Sequence, residues 1–293
     1  MKLGLSLPVF TPDPARPLEV AGRAAEAGFD GVFVPDHLFP PVFYPPSGPD
    51  RPALEAFAVL SSVAARHPEL YVGTLVARVT LRPPGILAKQ VAALAEMSRA
   101  GAIVALGTGD RASQPEHETF GIDLPAAGER VRLLEETVES LGELFRGRPY
   151  PGGTMVPPLV GPLLPAASAE RWVGGLSEAV VAVAARSADA WNGWGLGVEA
   201  FATTAGRLRE LAGDRVVPPT WGGIALVGRD RGELGRLIDE RTADGRSLDG
   251  VWTGTAADLR AFVDALAGHG AAWFIVLPVG PPDRVDVIAD ALR

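Results

Sequence analysis

Short runs of β-type residues alternate with helical stretches from one end of the chain to the other, and this alternation restricts the fold more than any other feature. The runs fall at 2–7, 31–34, 70–76, 103–106, 172–173, 188–191, 224–227 and 273–277. Between them apolar residues recur at helical spacing over 18–27, 53–65, 84–97, 129–145, 178–186, 201–211, 230–241, 255–266 and 285–292. The clearest stripe is Val131, Leu134, Val138, Leu141 and Phe145. Pro84 stands early in its stretch, where a missing N–H costs little. Thr255 and Asp258 have capping-box spacing, with Asp in place of Glu or Gln. Eight strand–helix units in 293 residues predict an α/β protein of (β/α)8 barrel type, one domain over 1–293. The rival, a doubly wound open sheet, wants a glycine-rich turn after the first strand, and Leu7-Pro8-Val9-Phe10-Thr11-Pro12 has none. The Pro- and Gly-rich segment 146–165 reads as an irregular insertion after the fourth helix, because the alternation resumes beyond it.

Composition removes several function classes. The formal net charge is −8 with both signs interspersed, which argues against nucleic acid as the main partner. The chain has no cysteine, so disulfides, Cys-ligated zinc, iron–sulfur clusters and thiol nucleophiles are excluded. Its four histidines, His37, His67, His117 and His269, lack paired metal spacing, and no metal site is expected. The only lysines are Lys2 and Lys89. No apolar run approaches the roughly 20 residues of a membrane span, and the first residues lack a signal-peptide pattern. A soluble, cytoplasmic protein with no membrane partner is expected.

In such barrels the working residues lie at the C-terminal ends of the strands. The second strand ends in Pro35-Asp36-His37, where an imidazole near neutrality can act as acid or base, or either residue simply caps the next helix. The fourth ends in Gly107-Thr108-Gly109-Asp110: two glycines let a flat ligand or a phosphate approach the main chain, or only form a tight turn. The fifth ends in Gly174-Gly175-Leu176-Ser177 before a helix, an anion site or an ordinary N-cap. Arg78, Arg82 and Arg111 either add charge near these loops or lie solvated on the surface. Trp191 and Trp194 either wall a planar ligand or pack in the core and rim. His67 and His117 read as exposed, and His269 as structural.

Taken in order, AAEAGFDGVFVPDH at 24–37, VGTLV at 72–76, AKQVAAL at 88–94, ALGTGD at 105–110, Glu129-Arg130, VGG at 173–175 and ADAWN at 188–192 resemble the bacterial luciferase-like superfamily of barrel oxidoreductases. Within it the resemblance is to the branch that uses the deazaflavin coenzyme F420. It implies cofactor contacts at Asp36 and His37, with His37 also catalytic. It implies a non-prolyl cis peptide at Leu75–Val76, backing the ring. Further contacts are implied at Gly107, Thr108, Gly109 and Ser113, with Asp110 in the place of an acidic proton donor. The phosphate grip falls on Gly174, Gly175, Leu176 and Ser177. Homodimers are common in the family, so a homodimer is expected.

The implied activity is hydride exchange between F420 and a small organic substrate bearing a carbonyl, imine or activated alkene, with His37 or Asp110 moving the accompanying proton. Two alternatives stay open: a monooxygenase using reduced FMN and oxygen, and a non-catalytic F420-binding protein. The family's sugar-phosphate branch grips its substrate with lysines, and the loop 111–125 and the scarcity of lysine here depart from it. Glucose 6-phosphate is therefore not the expected substrate.

Overall fold

The computed structural model describes residues 1–41, 44 and 47–293. Its elements run β1 (Lys2–Ser6), α1 (Arg16–Glu26), β2 (Gly31–Val34), α2 (Ala56–Arg66), β3 (Tyr71–Arg78), α3 (Pro84–Met97) and β4 (Ala102–Gly107). A 3-10 turn (Arg111–Ser113) leads into α4 (Gln114–Phe120) and α5 (Ala127–Phe145). Then come β5 (Ala169–Gly174), α6 (Glu178–Ser187), β6 (Ala190–Trp194), α7 (Val198–Ala212), β7 (Pro219–Gly228), α8 (Arg231–Ala243), β8 (Val251–Thr255), α9 (Ala256–Gly268), β9 (Trp273–Pro278) and α10 (Arg284–Leu292).

All pairings between these strands are parallel, and eight of them close a ring in the order β1-β2-β3-β4-β5-β6-β7-β9, with β9 returning to β1. The expected barrel is thus the observed one, with an addition. β8 lies outside the ring and pairs with the far half of β7, Ile224↔Val251 to Gly228↔Thr255. β9 takes the other edge of β7, Trp221↔Phe274 to Ala225↔Pro278, so β8 continues along the edge that β6 leaves after Trp194↔Gly222.

The helices follow the apolar spacing. α1 buries Pro17, Val20, Ala21 and Ala24, and α5 buries Leu134, Val138 and Leu141. The Thr255–Asp258 box opens α9 as expected: Asp258 Oδ2 accepts the Thr255 N–H at 2.9 Å, and Thr255 Oγ1 accepts the Asp258 N–H at 3.3 Å. Inside the ring, Phe33, Trp172 and Trp273 pack with centroids 5.4–5.8 Å apart, beside Leu75, Ile103, Ala105 and Ile275. The Phe33 ring needs room on both neighbouring strands. A Cβ on Gly4 or Gly73 would stand 2.7 or 2.8 Å from it, so β1 and β3 carry glycine there.

Segment 146–165 has no helix or strand, only an isolated bridge between Tyr150 and Leu159, yet it is anchored. The buried carboxylate of Glu136 on α5 accepts the N–H groups of Thr154, Met155 and Val156 at 2.7–2.9 Å.

Candidate active site

The ends of β2 to β6 meet at one mouth of the barrel, and β3 supplies its floor. Its register against β4 shifts between Thr74 and Ala77, and the Leu75–Val76 peptide there is cis. Leu75 is buried in the interior cluster with Phe33 and Trp172, so its side chain is part of the core. The half-buried Val76 wedges its two methyls between β4 and β5. A Cβ on Gly107 would stand 2.5 Å from Cγ2, and one on Gly174 would stand 2.6 Å from Cγ1. The room expected at Gly107 for a ligand against the main chain is therefore taken by Val76, and the glycines serve to seat it. Val76 is only half-buried, so part of its apolar side chain stays accessible there.

Past Val76, β3 ends in Arg78, which is buried rather than solvated. Its backbone N–H donates to Asp36 Oδ2 at 3.2 Å, its Nε to the Asp36 carbonyl at 3.0 Å, and its Nη2 to Glu116 Oε2 at 2.7 Å. Its stem runs beside Gly109, whose φ is +65°. The Asp36 carboxylate is also gripped in bidentate fashion by Arg82, at 2.6 and 3.0 Å, and Arg82 extends to Glu55 at the start of α2. An ion pair to Arg82 and hydrogen bonds from Arg78 thus hold Asp36 internally and fix the end of β2. Arg111 is exposed.

His37 is 19% exposed, and its Nδ1 lies 2.7 Å from Glu116 Oε1. Phe10 meets its ring edge-on, with centroids 6.0 Å apart. Glu116 is completely buried, and its Oε2 also accepts the Leu38 N–H at 2.6 Å. Burial pushes the Glu116 carboxyl up, but His37, the Arg78 guanidinium and the Leu38 N–H outweigh that and hold it below the ordinary carboxylate range. Glu116 went unread in the sequence because 114–118 looks like a polar loop. A faint signal exists: Pro115 in the first turn and Gly121, at φ +63°, just past the end bracket a short helix. The same helix buries His117, contrary to its expected exposure. Its Nδ1 lies 3.1 Å from the Asp123 carbonyl, and its Nε2 lies 3.2 Å from Thr80 Oγ1.

Asp110 is exposed at the end of β4 and caps the 3-10 turn. Its Oδ1 accepts the Ser113 N–H and hydroxyl at 3.1 and 3.2 Å. Ser113 is buried and satisfied by this pairing. Thr108 donates its hydroxyl to the Gly109 carbonyl at 2.9 Å.

On the opposite side of the floor, Gly174 and Gly175 lead into α6. Gly175 has φ +146°, and a Cβ there would stand 2.9 Å from Val180. The fully buried Trp191 donates its indole N–H to the Gly175 carbonyl at 2.8 Å, and the Asn192 carbonyl accepts the Gly175 N–H at 3.3 Å. Trp191 therefore holds the glycine pair from the core, while Trp194 is 38% exposed at the rim. Leu176 and Ser177 are exposed, and Ser177 caps α6 at the Val180 N–H. The first N–H groups of α6 have no partner within the helix, which suits an anion. Glu178 in that turn is paired with Arg207 at 2.7 Å.

Both lysines stand away from the mouth. Lys2 begins β1 with its Nζ 4.0 Å from the Tyr71 ring centroid, and Lys89 on α3 donates to the Leu164 carbonyl. A cavity of about 410 Å³, lined by Tyr71, Gly101, Gly142 and Arg171 among others, opens at the other end of the barrel. Among the described residues no group of three or more His, Asp or Glu side chains stands placed to hold a metal ion, and no helix is long and apolar enough to cross a membrane.

Comparison with known proteins agrees with this architecture. The chain is 28% identical to an F420-dependent glucose-6-phosphate dehydrogenase of Microbacterium testaceum (strain StLB037) and 29% identical to one of Nakamurella multipartita. Each match runs over 234 residues, 78% of this chain, and the chain spans only 64% of the length of either relative. An F420-dependent secondary alcohol dehydrogenase, solved with an F420–acetone adduct, has the same fold at a TM-score of 0.82 and 17% identity, covering 100% of this chain and 99% of its own. The model of the luciferase-like monooxygenase family matches residues 1–236, and the chain belongs to that family.

Proposed function

We propose that the chain is an oxidoreductase using coenzyme F420 to move a hydride to or from a small organic substrate, a carbonyl or its alcohol, an imine or an activated alkene. One observation carries the proposal: Val76 on β3, seated between Gly107 and Gly174, stands in strand order between the end of β2, where His37 meets Glu116, and the start of α6 after β5. The residues fit the cofactor. An apolar platform suits a planar tricycle, and the N–H groups after Gly174-Gly175 suit a phosphate on its tail. When bound, the deazaflavin supplies a two-electron hydride donor or acceptor.

The protein's part is position and protons. Val76 backs the ring, with Leu75 contributing main chain only. Gly107, Thr108 and Gly109 border it, and Ser113 acts by holding Asp110. Gly174, Gly175, Leu176 and Ser177 grip the tail. His37 exchanges the proton that accompanies the hydride, and Asp110, whose Oδ1 is engaged by Ser113, stands as a second proton donor at the rim. Asp36 acts through Arg78 and Arg82 by fixing the strand end, rather than by touching the ring.

The names of the curated relatives support F420, but their sugar phosphate does not carry over. Neither lysine is at the mouth, and Arg78 and Arg82 are already paired to carboxylates. The family resemblance supports a cytoplasmic homodimer folded as one domain over 1–293.

Titration with F420 and with FMN, followed by fluorescence, tests the cofactor. F420 is expected to bind and to be reduced by a member of a panel of small secondary alcohols. Tight FMN binding with no F420 binding would transfer the protein to the oxygen-dependent monooxygenases. F420 binding without turnover on a broad panel would make it a carrier.

A further inference from the structure

His37 and Glu116 lie 79 residues apart, on β2's end loop and on α4, and the fold brings them to 2.7 Å. The two oxygens of Glu116 are not equivalent. Oε2 accepts two donors, the Leu38 N–H at 2.6 Å and Arg78 Nη2 at 2.7 Å, whereas Oε1 faces His37 Nδ1. Both donors on Oε2 are permanent, a main-chain amide and a guanidinium that stays charged. Arg78 is itself fixed through Nε to the Asp36 carbonyl, and Asp36 is clamped by Arg82. The carboxylate therefore cannot turn, and the only hydrogen that can lie between Oε1 and Nδ1 is one borne by the ring.

We propose that Glu116 is the positioning residue for His37: it holds the neutral ring as the Nδ1–H tautomer and so makes Nε2 the nitrogen that exchanges the substrate's proton. The proposal rests on the preceding reading, that His37 works at the mouth. In the oxidative direction an alcohol C–H leaves as hydride to the cofactor and its O–H proton passes to Nε2. The carbonyl forms, and the imidazolium is left facing the Glu116 carboxylate. The reductive direction returns the proton from Nε2 to the oxygen. An aligned, charged partner of this kind is how buried carboxylates set the tautomer and orientation of working histidines in other folds.

The isosteric Glu116→Gln change gives a sharp test. The amide oxygen is expected to stay with the two donors, Leu38 N–H and Arg78 Nη2. That places the amide NH2 against His37 Nδ1, which must then accept, and the ring proton moves to Nε2. Two-dimensional 15N NMR of the cofactor-free protein distinguishes the tautomers, and the His37 signals among those of the four histidines are assigned by their loss in His37→Gln. The wild type is expected as Nδ1–H and Glu116→Gln as Nε2–H. In steady-state assays with F420 and the best substrate, Glu116→Gln is expected to lower kcat by about 100-fold or more, towards the His37→Gln level, with KM changed less than about threefold. A wild-type ring found as Nε2–H overturns the proposal without any variant. So does an unflipped tautomer in Glu116→Gln, or a flipped one with unchanged kcat while His37→Gln is crippled. Full turnover in His37→Gln instead removes the reading beneath it, whatever the tautomers show.

Discussion

Adding one methyl at Gly107 should push directly on the floor of the mouth, and the structure says by how much. The new Cβ would stand 2.5 Å from Val76 Cγ2, against about 3.5–4.0 Å for a comfortable carbon–carbon contact. Val76 has little room to swing aside, since its other methyl faces Gly174 and β-branched side chains are restricted at χ1. Gly107 does not have a positive φ, so alanine is not excluded by the backbone itself. Overpacking of this kind costs about 1–3 kcal/mol. With Val76→Ala in place the nearest atom of residue 76 becomes Cβ at 3.5 Å, an ordinary contact. Gly107→Ala should then be neutral, or stabilising by about 0.4–1 kcal/mol through the stiffer unfolded chain. Urea denaturation of the wild type, both single variants and the double variant gives the coupling energy. It should be about 1–4 kcal/mol, with the double variant at least as stable as Val76→Ala alone. A coupling below about 0.5 kcal/mol, as for independent sites, would mean that Val76 does not fill the space between β4 and β5.

Other perturbations read other parts of the molecule. His37→Ala should lower kcat about 10²–10⁴-fold while the dissociation constant for F420 stays within about threefold; a kinetically normal variant would exclude His37 from the chemistry. Glu233 and Asp283 are each held down to about 2, first by hydrogen bonding to Arg284, so both carboxylates lose protons more readily folded than unfolded. Their stabilisation is complete above the unfolded carboxylate range near pH 4 and is lost as pH falls from there towards 2, so denaturation midpoints should drop over that window and drop less in Arg284→Met. Parallel pH curves for the two proteins would refute the assignment. Glu136→Gln replaces one of two acceptor oxygens with a donor facing main-chain N–H groups, and should cost about 1–3 kcal/mol, with amide exchange accelerated at 154–156. Unchanged protection there would show that the segment is held by other contacts.

The ring of strands was legible because both of its periodicities are local: compact β runs and apolar helical spacing. Failures came where side chains override propensity. The β-type runs stop at 191 and resume at 224, yet Asn192-Gly193-Trp194 and Trp221-Gly222-Gly223 are strand. The Asn192 amide is satisfied by Thr220 Oγ1 at 2.9 Å, and the glycines lie under the rings of Trp191, Trp194 and Trp221. β8 was missed because Thr255 reads as a helix cap, which it is, and also ends a strand. At the mouth, residue types at strand ends single out Asp36, His37, the glycines and Asp110 as candidates, but give no sign of their partners. Glu116 and Arg78 gain their meaning only from contacts 38–79 residues away, which local pattern does not encode.

β7 is ten residues long, whereas β6 has five, and it runs three residues, roughly 10 Å, past its last pairing with β9. With β8 zipped to that overhang, the rim is a parapet on one side and low on the other, where Phe10 and His37 stand after β1 and β2. Loops on the low side can grow or shrink between related chains without cutting a ladder, so that side is where access to the mouth is free to diversify. Any change of length within the parapet would unpair backbone, so that wall tolerates such changes less than the opposite one.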